Sequence, residues 1–300
     1  FMGWRANPNR TDEWYAEQKR IMLLTYGTLD PLYKHYPATL TEALAPRELN
    51  KRFPPQWIIA LSQARQKPLD LPADAPALPG LRIYKAPETG RTYGIGMDPG
   101  GGKKDSSVSQ VIDSETYEQV AALSGLVEPT EFANQTHDLS LYYFGASVLF
   151  ELNNHGGTVL AQFKERGTNM RRGIGRRGVT DKEPGWLTTE RSKHMLYDVG
   201  AKVMQEVIYE TLDDRGEPHF ELVRPILFDP STIAELTSID VSELEAPLGM
   251  HDDHSMAWVL ACMCVYRGTS GVAVARHSLW KEPQQVSAPA GSTAPAIPGS

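Results

Sequence analysis

The sequence predicts an α/β fold built on a mixed sheet, an antiparallel meander that feeds a parallel strand. Three observations predict it. Strand-like segments follow one another from residue 91 to residue 127 with no helix between them. A segment of helical periodicity comes next and leads into the apolar run "ASVLFELNN". Helical segments dominate the rest, so strands and helices alternate as an α/β sheet requires.

The segments justify themselves in order. Residues 1–66 read as helical: "TDEWYAEQKRIMLL" has a Thr or Asp cap, acids in its first turn and apolar residues at helical spacing, and "PATLTEALAPRELNKRF" opens a second short helical run. Residues 67–80, "KPLDLPADAPALPG", carry four prolines and read as an extended linker. "TYGIGMDPG" is a strand followed by a glycine turn. "SSVSQVIDS" alternates polar and apolar residues, the mark of a half-buried strand. "YEQVAALSGLV" is a third strand, joined to the second by a tight turn near Ser114 and Glu115. "EPTEFANQTHDLSLYYFG" starts with Pro and Thr, keeps helical periodicity and ends in glycine. "ASVLFELNN" is apolar throughout, which predicts a central strand buried on both faces. "GGTVLAQFKERG" is a helix with a glycine cap. "TTERSKHMLYDVGAKVMQEVIYE" reads as one long amphipathic helix, and "GMHDDHSMAWVLACMCVYRG" as a loop entering a helix. Residues 81–268 thus form the main domain, and residues 269–300, rich in Pro, Ala, Ser and Gly, a weakly ordered tail.

Composition bounds the function. The chain has 300 residues, 41% hydrophobic and 22% charged, which suits a soluble globular protein. No apolar run approaches the ~20 residues that span a bilayer, and the opening "FMGWRANPNR" reads as the interior of a longer protein rather than a signal peptide. Cys262 and Cys264 are two apart on a helical pattern and point away from each other, which argues against a disulfide or a Cys-based zinc site and fits a reducing compartment. The net charge of −7 means that nucleic-acid binding would need a local basic patch.

Four acids carry the chemistry. Asp98 ends the first strand of the meander, Glu151 ends the apolar strand, and Asp252 and Asp253 open the last helix. Strand ends and a helix start can meet at one sheet edge, where open α/β sheets place their ligands. Carboxylates gathered there repel one another unless hard divalent cations bind between them, and all-oxygen donors suit Mg²⁺ or Mn²⁺. Two ions about 3.5–4 Å apart would activate water and stabilise the leaving oxygen of a phosphodiester. Each acid also has a plainer use. Asp before Pro-Gly serves turns, Glu151 can mark where a strand leaves the core, and "HDDH" can cap a helix or line a solvated loop. A zinc site at His251 and His254 lacks a third ligand of zinc-like spacing.

"YGIGMDPGGG" with Asp105 after it, "FELNNHG", "GWLTTERSK" and "HDDHSMAWVLA" together resemble the C-terminal nuclease domain of tailed-bacteriophage terminase large subunits. "YKHYPATLTEAL" resembles the element that joins that family's ATPase to its nuclease. The resemblance implies an RNase H-like fold and metal-dependent endonucleolytic cleavage of concatemeric double-stranded DNA during genome packaging. It implies that Asp98 is shared between metals, that Glu151 is the second carboxylate and that Asp253, with Asp252, supplies the third. Asp105 matches an accessory acid of some members. The resemblance also implies a small terminase subunit and a portal protein as partners, in the host cell cytoplasm and transiently at the procapsid portal.

No G-x-x-x-x-G-K-[ST] loop occurs, and "GGGKK" lacks the Ser/Thr and the spacing, so the ATPase would be missing from this chain or supplied separately. DNA contact has its own candidate in "KERGTNMRRGIGRR". There Lys164, Arg166, Arg171, Arg172, Arg176 and Arg177 stand against the single acid Glu165, and could form a flexible hairpin whose arginines meet phosphates. Lys193 could also reach phosphate, though a surface role suits it; Trp186 suits packing, and the Thr after it a helix cap. Nothing resembles a base-reading element, so cleavage should show little sequence preference. Competing readings are a junction resolvase of the same fold group, a catalytically idle DNA- or portal-docking module, and an actin-like kinase, which would need a second Gly-rich phosphate loop.

Overall fold

The computed structural model describes residues 4–8, 10–26, 30–38, 51–63, 66–103, 105–174, 180–212, 218–241, 244 and 251–266. The C-terminal tail, Arg176 and Arg177, and most of the second N-terminal helical run lie outside them.

A five-stranded mixed sheet organises the chain. Its strands are β1 (Leu81–Ile83), β2 (Tyr93–Asp98), β3 (Ser107–Asp113), β4 (Gln119–Gly125) and β5 (Ser147–Phe150). Their order in the sheet is β1-β4-β3-β2-β5. β2, β3 and β4 form the expected antiparallel meander, and β5 joins β2 in parallel. The parallel step needs a crossover, which α4 (Pro129–Tyr142) supplies. α1 (Asp12–Tyr26), α2 (Asp30–His35) and α3 (Pro55–Gln63) precede the sheet. The Thr11 hydroxyl accepts from Trp14 N–H at 3.2 Å, as the sequence expects of a cap for α1. Trp4, Tyr15 and Leu32 form a small separate cluster, whereas Phe53, Ile58 and Leu61 enter the main core. Residues 67–80 are described without helix or strand.

The sheet has two covered faces. On one, Ile95, Met97 and Val111 pack against Phe132, Ala133 and Leu139 of α4 and against Val159 and Phe163 of α5 (Gly156–Arg166). On the other lies α8 (Asp253–Val265), backed by α6 (Glu190–Gln205) and α7 (Pro230–Ser238). α8 is apolar all round, as a helix between a sheet and other helices must be. Cys262 and Cys264 lie within it, both buried and free.

Three expectations change. β3 is buried along its whole length rather than half-buried, because α4 and α8 cover both faces. Its polar residues find partners inside: Ser109 Oγ lies 2.8 Å from Thr136 Oγ1, and Gln110 Nε2 donates to Thr232 Oγ1 at 2.8 Å. β5 is the last strand of the sheet, not a central one. Its apolar sequence still fits, since its outer edge is covered. Val148 N–H donates to Asn169 O, and Trp186 N–H to Phe150 O, both at 2.8 Å. The long helix expected through Glu210 stops at Gln205, and Ile208–Leu212 (β8) pairs with Pro218–Leu222 (β9). "VIY" is β-branched and aromatic, and its strand preference wins once helical packing ends. Arg172–Ile174 (β6) and Thr180–Pro184 (β7) form the paired arms of a hairpin across the basic segment.

Candidate metal centre

β2 brings Asp98 to the sheet edge, and its glycines bring α8 to Asp98. Alternate residues of a strand share a face, so Gly94, Gly96 and Asp98 all face α8. A Cβ at Gly96 would lie 2.1 Å from Ala257 O and Ala261 N, and one at Gly94 would lie 2.4 Å from Val265 Cγ1. No larger side chain fits: at Gly96 strand and helix touch backbone to backbone, and at Gly94 the strand backbone meets the Val265 and Cys264 side chains. The two run antiparallel: Gly94 meets residue 265, Gly96 meets 257 and 261, and the next step of two along the strand meets the start of the helix at Asp253. Two strand residues advance about 6.6 Å and four helix residues about 6 Å, so the match holds along the contact.

β5 supplies Glu151 by register. Met97 pairs with Phe150 in parallel, and Glu151 N–H donates to Met97 O at 3.0 Å, which sets Glu151 beside Asp98. The far side of Glu151 is fixed by its bridge to Trp186. Trp186 is 2% exposed and serves packing, as its sequence context suggests. Asn153 clasps the same segment: its Nδ2 donates to Thr188 O and its Oδ1 accepts from Thr188 N–H, both at 2.9 Å. Thr189 caps α6 in a reciprocal box with Ser192.

These acids perturb one another. The Asp98 carboxyl is pushed well above the ordinary range, first by burial, then by the charges of Glu151 and Asp253, a carboxyl-to-carboxyl hydrogen bond with Glu151, and the charge of Asp252. Asp253 is raised to about 6 by burial first and by the charge of Asp105 next. Asp253 acts on Asp98 more strongly than Asp252 does. Asp252 instead faces Lys193, whose Nζ lies 3.5 Å away with its side chain only 13% exposed. Lys193 is therefore not the surface lysine that the sequence suggests; it stands beside the acids.

The donor set fits divalent cations. Asp98 and Glu151 offer hard oxygen ligands side by side, with Asp253 near enough for its charge to raise Asp98, and this crowding is costly without a positive charge nearby; the three do not themselves bring ligand atoms within 4.8 Å of one another. Asp105, His251 and Asp253 each offer a ligand atom within 4.8 Å of the others. Gly100 N–H donates to Ser107 Oγ at 3.0 Å, which holds the residue after β2 against the start of β3, near Asp105. Sequence reasoning set His251 aside for want of a third ligand; Asp105, distant in sequence, is the residue that spacing could not supply.

A second polar network, unread in the sequence, lies behind the acids. Asp229, 1% exposed, accepts from Arg82 Nε at 2.8 Å, from Tyr84 Oη at 3.0 Å and from Thr232 N–H at 2.9 Å, and lies 3.3 Å from His254 Nδ1. Burial opposes its charge, but the His254 hydrogen bond, the Arg82 charge and the Thr232 N–H hold its carboxyl well below the usual range.

The basic run is less free than its composition suggests. Lys164 pairs with Glu183 at 3.2 Å and Arg166 with Asp138 at 2.6 Å. Arg171 donates to Cys264 O at 3.0 Å. Arg172 starts β6 at the outer edge of the sheet, close to Gly185. Both ion pairs are exposed and worth at most about 1 kcal/mol, so a phosphate could displace either acid.

No family model matches the chain, and no curated protein matches it. The chain resembles solved large terminase nucleases of thermophilic phages. With the large terminase nuclease of thermophilic phage G20c bound to magnesium, identity is 14% over 71% of this chain and 97% of that one, at a TM-score of 0.45. The zinc-bound form gives 17% identity over 68% and 96%, also at 0.45. The Thermus phage P74-26 large terminase nuclease domain gives 15% over 69% and 93%, at 0.40.

Proposed function

We propose that the chain is a divalent-cation-dependent endonuclease that cuts concatemeric double-stranded DNA during viral genome packaging. The observation that supports this reading is Asp98 beside Glu151 at the strand ends, with Asp253 and Asp252 at the start of α8 near enough for their charges to raise Asp98. Acids assembled so expensively from distant parts of a chain need a purpose, and holding Mg²⁺ or Mn²⁺ is the one that their chemistry suits.

Asp98 and Glu151 would hold divalent cation at the strand ends, and Asp253 would hold it together with Asp105 and His251. When bound, the ions polarise the phosphoryl oxygens and acidify water. The strand ends keep Asp98 and Glu151 fixed, because both lie in hydrogen-bonded backbone. Lys193 pairs with Asp252 and would be within reach of a phosphate oxygen of bound DNA. Arg171, Arg172, Arg176 and Arg177, with Lys164 and Arg166, contact the DNA backbone, which gives binding with little base preference. A small terminase subunit, a portal protein and a separately encoded or missing ATPase complete the machine in this reading.

The test is conversion of supercoiled plasmid to nicked and linear forms with and without Mn²⁺. Cleavage that needs the metal and is lost in Asp98→Ala, with circular dichroism unchanged, supports the reading. No cleavage by the unmodified chain at any metal concentration, or equal cleavage by the variant, counts against it.

A further inference from the structure

α8 starts without help from its own side chains. Asp252 occupies the position before its first residue, the place where an aspartate ordinarily caps a helix, yet it makes no side-chain cap hydrogen bond. The open N–H of Ser255 is taken instead by Glu235 Oε2 of α7, at 2.9 Å. The Ser255 hydroxyl is engaged elsewhere: it donates to Asp252 O at 2.8 Å and lies 3.0 Å from Tyr197 Oη.

A helix start offers open N–H donors that attract any nearby carboxylate. Asp252 and Asp253 are the nearest. An aspartate that turned to Ser255 N–H would spend its oxygens on the backbone and lose them for a cation. Glu235 removes that competition by filling the donor from outside. We propose that Glu235 is a positioning residue, a cap lent by α7 to α8 that leaves Asp252 and Asp253 free to hold divalent cations. This rests on the cation reading of the acids.

α7 is well placed to lend the cap. Its own start is capped by Asp229, which accepts from Thr232 N–H at 2.9 Å and lies 3.3 Å from His254 Nδ1 on the first turn of α8. Two cross-ties, Asp229 with His254 and Glu235 with Ser255, therefore fix the first turn of α8 to the start and to the middle of α7. The α7 carboxylate reaches the backbone N–H, and the α8 carboxylates face Asp98, Asp105 and Lys193.

The experiment compares the unmodified chain with Glu235→Gln and Glu235→Ala in two arms. Glu235→Gln keeps an acceptor oxygen and Glu235→Ala removes it. The first arm, in chelator, follows amide hydrogen exchange of Ser255 by NMR. Protection should fall at least about tenfold in Glu235→Ala and persist in Glu235→Gln. The second arm titrates Mn²⁺ by calorimetry. Affinity should fall by about 10- to 100-fold in Glu235→Ala, the range for groups that orient metal ligands, and stay within a few-fold in Glu235→Gln. Unchanged Ser255 protection in Glu235→Ala overturns the cap. A lower melting temperature with unaltered Mn²⁺ affinity overturns the positioning role and leaves ordinary helix packing. If the unmodified chain binds no Mn²⁺, the cation reading fails, and with it the purpose given to the cap, whatever the exchange arm reports.

Discussion

Replacing Asp253 by Asn should make the metal-free protein more stable at alkaline pH. The Asp253 carboxyl is raised from 3.8 to about 6, by burial and by Asp105, and its side chain is 14% exposed. Roughly two units at about 1.4 kcal/mol each put the cost of ionising it in the folded chain near 3 kcal/mol. The sign follows from linkage: a carboxyl raised on folding gives stability that is complete below about pH 4 and is lost as pH climbs through about 6. Asn carries no charge, so Asp253→Asn should gain on the order of 3 kcal/mol over the unmodified chain at pH 8, and well under 1 kcal/mol at pH 4. Urea denaturation in chelator at the two pH values measures both differences. Saturating Mn²⁺ should reverse the order at pH 8. A ligand at 1,000 times its dissociation constant adds about 4.1 kcal/mol to the unmodified chain, more than the lead of the variant, and the variant binds it far less. An Asn variant that is no more stable than the unmodified chain in chelator at pH 8, or that gains equally at pH 4, would refute the reasoning.

Other consequences follow from the same geometry. Asp98→Ala should lower Mn²⁺-dependent plasmid nicking by on the order of 10³-fold, as expected when a group that secures transition-state charge is lost, with the far-ultraviolet spectrum unchanged. Gly96→Ala should push α8 off β2, because its Cβ would meet Ala257 O and Ala261 N at 2.1 Å. About 1–3 kcal/mol or more of stability should go, with Mn²⁺ affinity, and urea midpoints and calorimetry read the two losses. Asp229→Asn should cost about 3–5 kcal/mol at neutral pH by leaving Arg82 without its buried partner. Because the Asp229 carboxyl is held low, its contribution is present above about pH 4 and fades only as pH falls below that, so urea midpoints of chain and variant should converge in acid.

The meander, the parallel strand and the placing of Asp98 and Glu151 at strand ends were legible in the sequence because each is a local signal. Alternation marks β3, turn signals bound β2 and β4, an apolar run marks β5, and an acid at the end of a run marks an edge. What was illegible depends on partners far along the chain. β3 reads as half-buried because Ser109 and Gln110 are polar, and only Thr136 and Thr232 make them internal. The cap of α8 reads as Asp252 because that is the local rule, whereas Glu235 performs it from another helix. His251 lacks companions until the loop 99–106 returns Asp105. Gly94 and Gly96 read as part of a strand, and their real effect, the close approach of α8, needs the helix in place. Lys193 and the basic run show the opposite error: composition suggests surface charge, but Lys193 stands beside Asp252, and Lys164 and Arg166 are paired.

The most direct test counts bound Mn²⁺ by electron paramagnetic resonance at neutral pH in the unmodified chain and in Asp98→Asn, Glu151→Gln and Asp253→Asn. Two ions per unmodified chain, with a large loss of affinity in every variant, are expected of four carboxylates gathered around cations. Binding that is absent, or equally weak in all four proteins, would contradict the central claim.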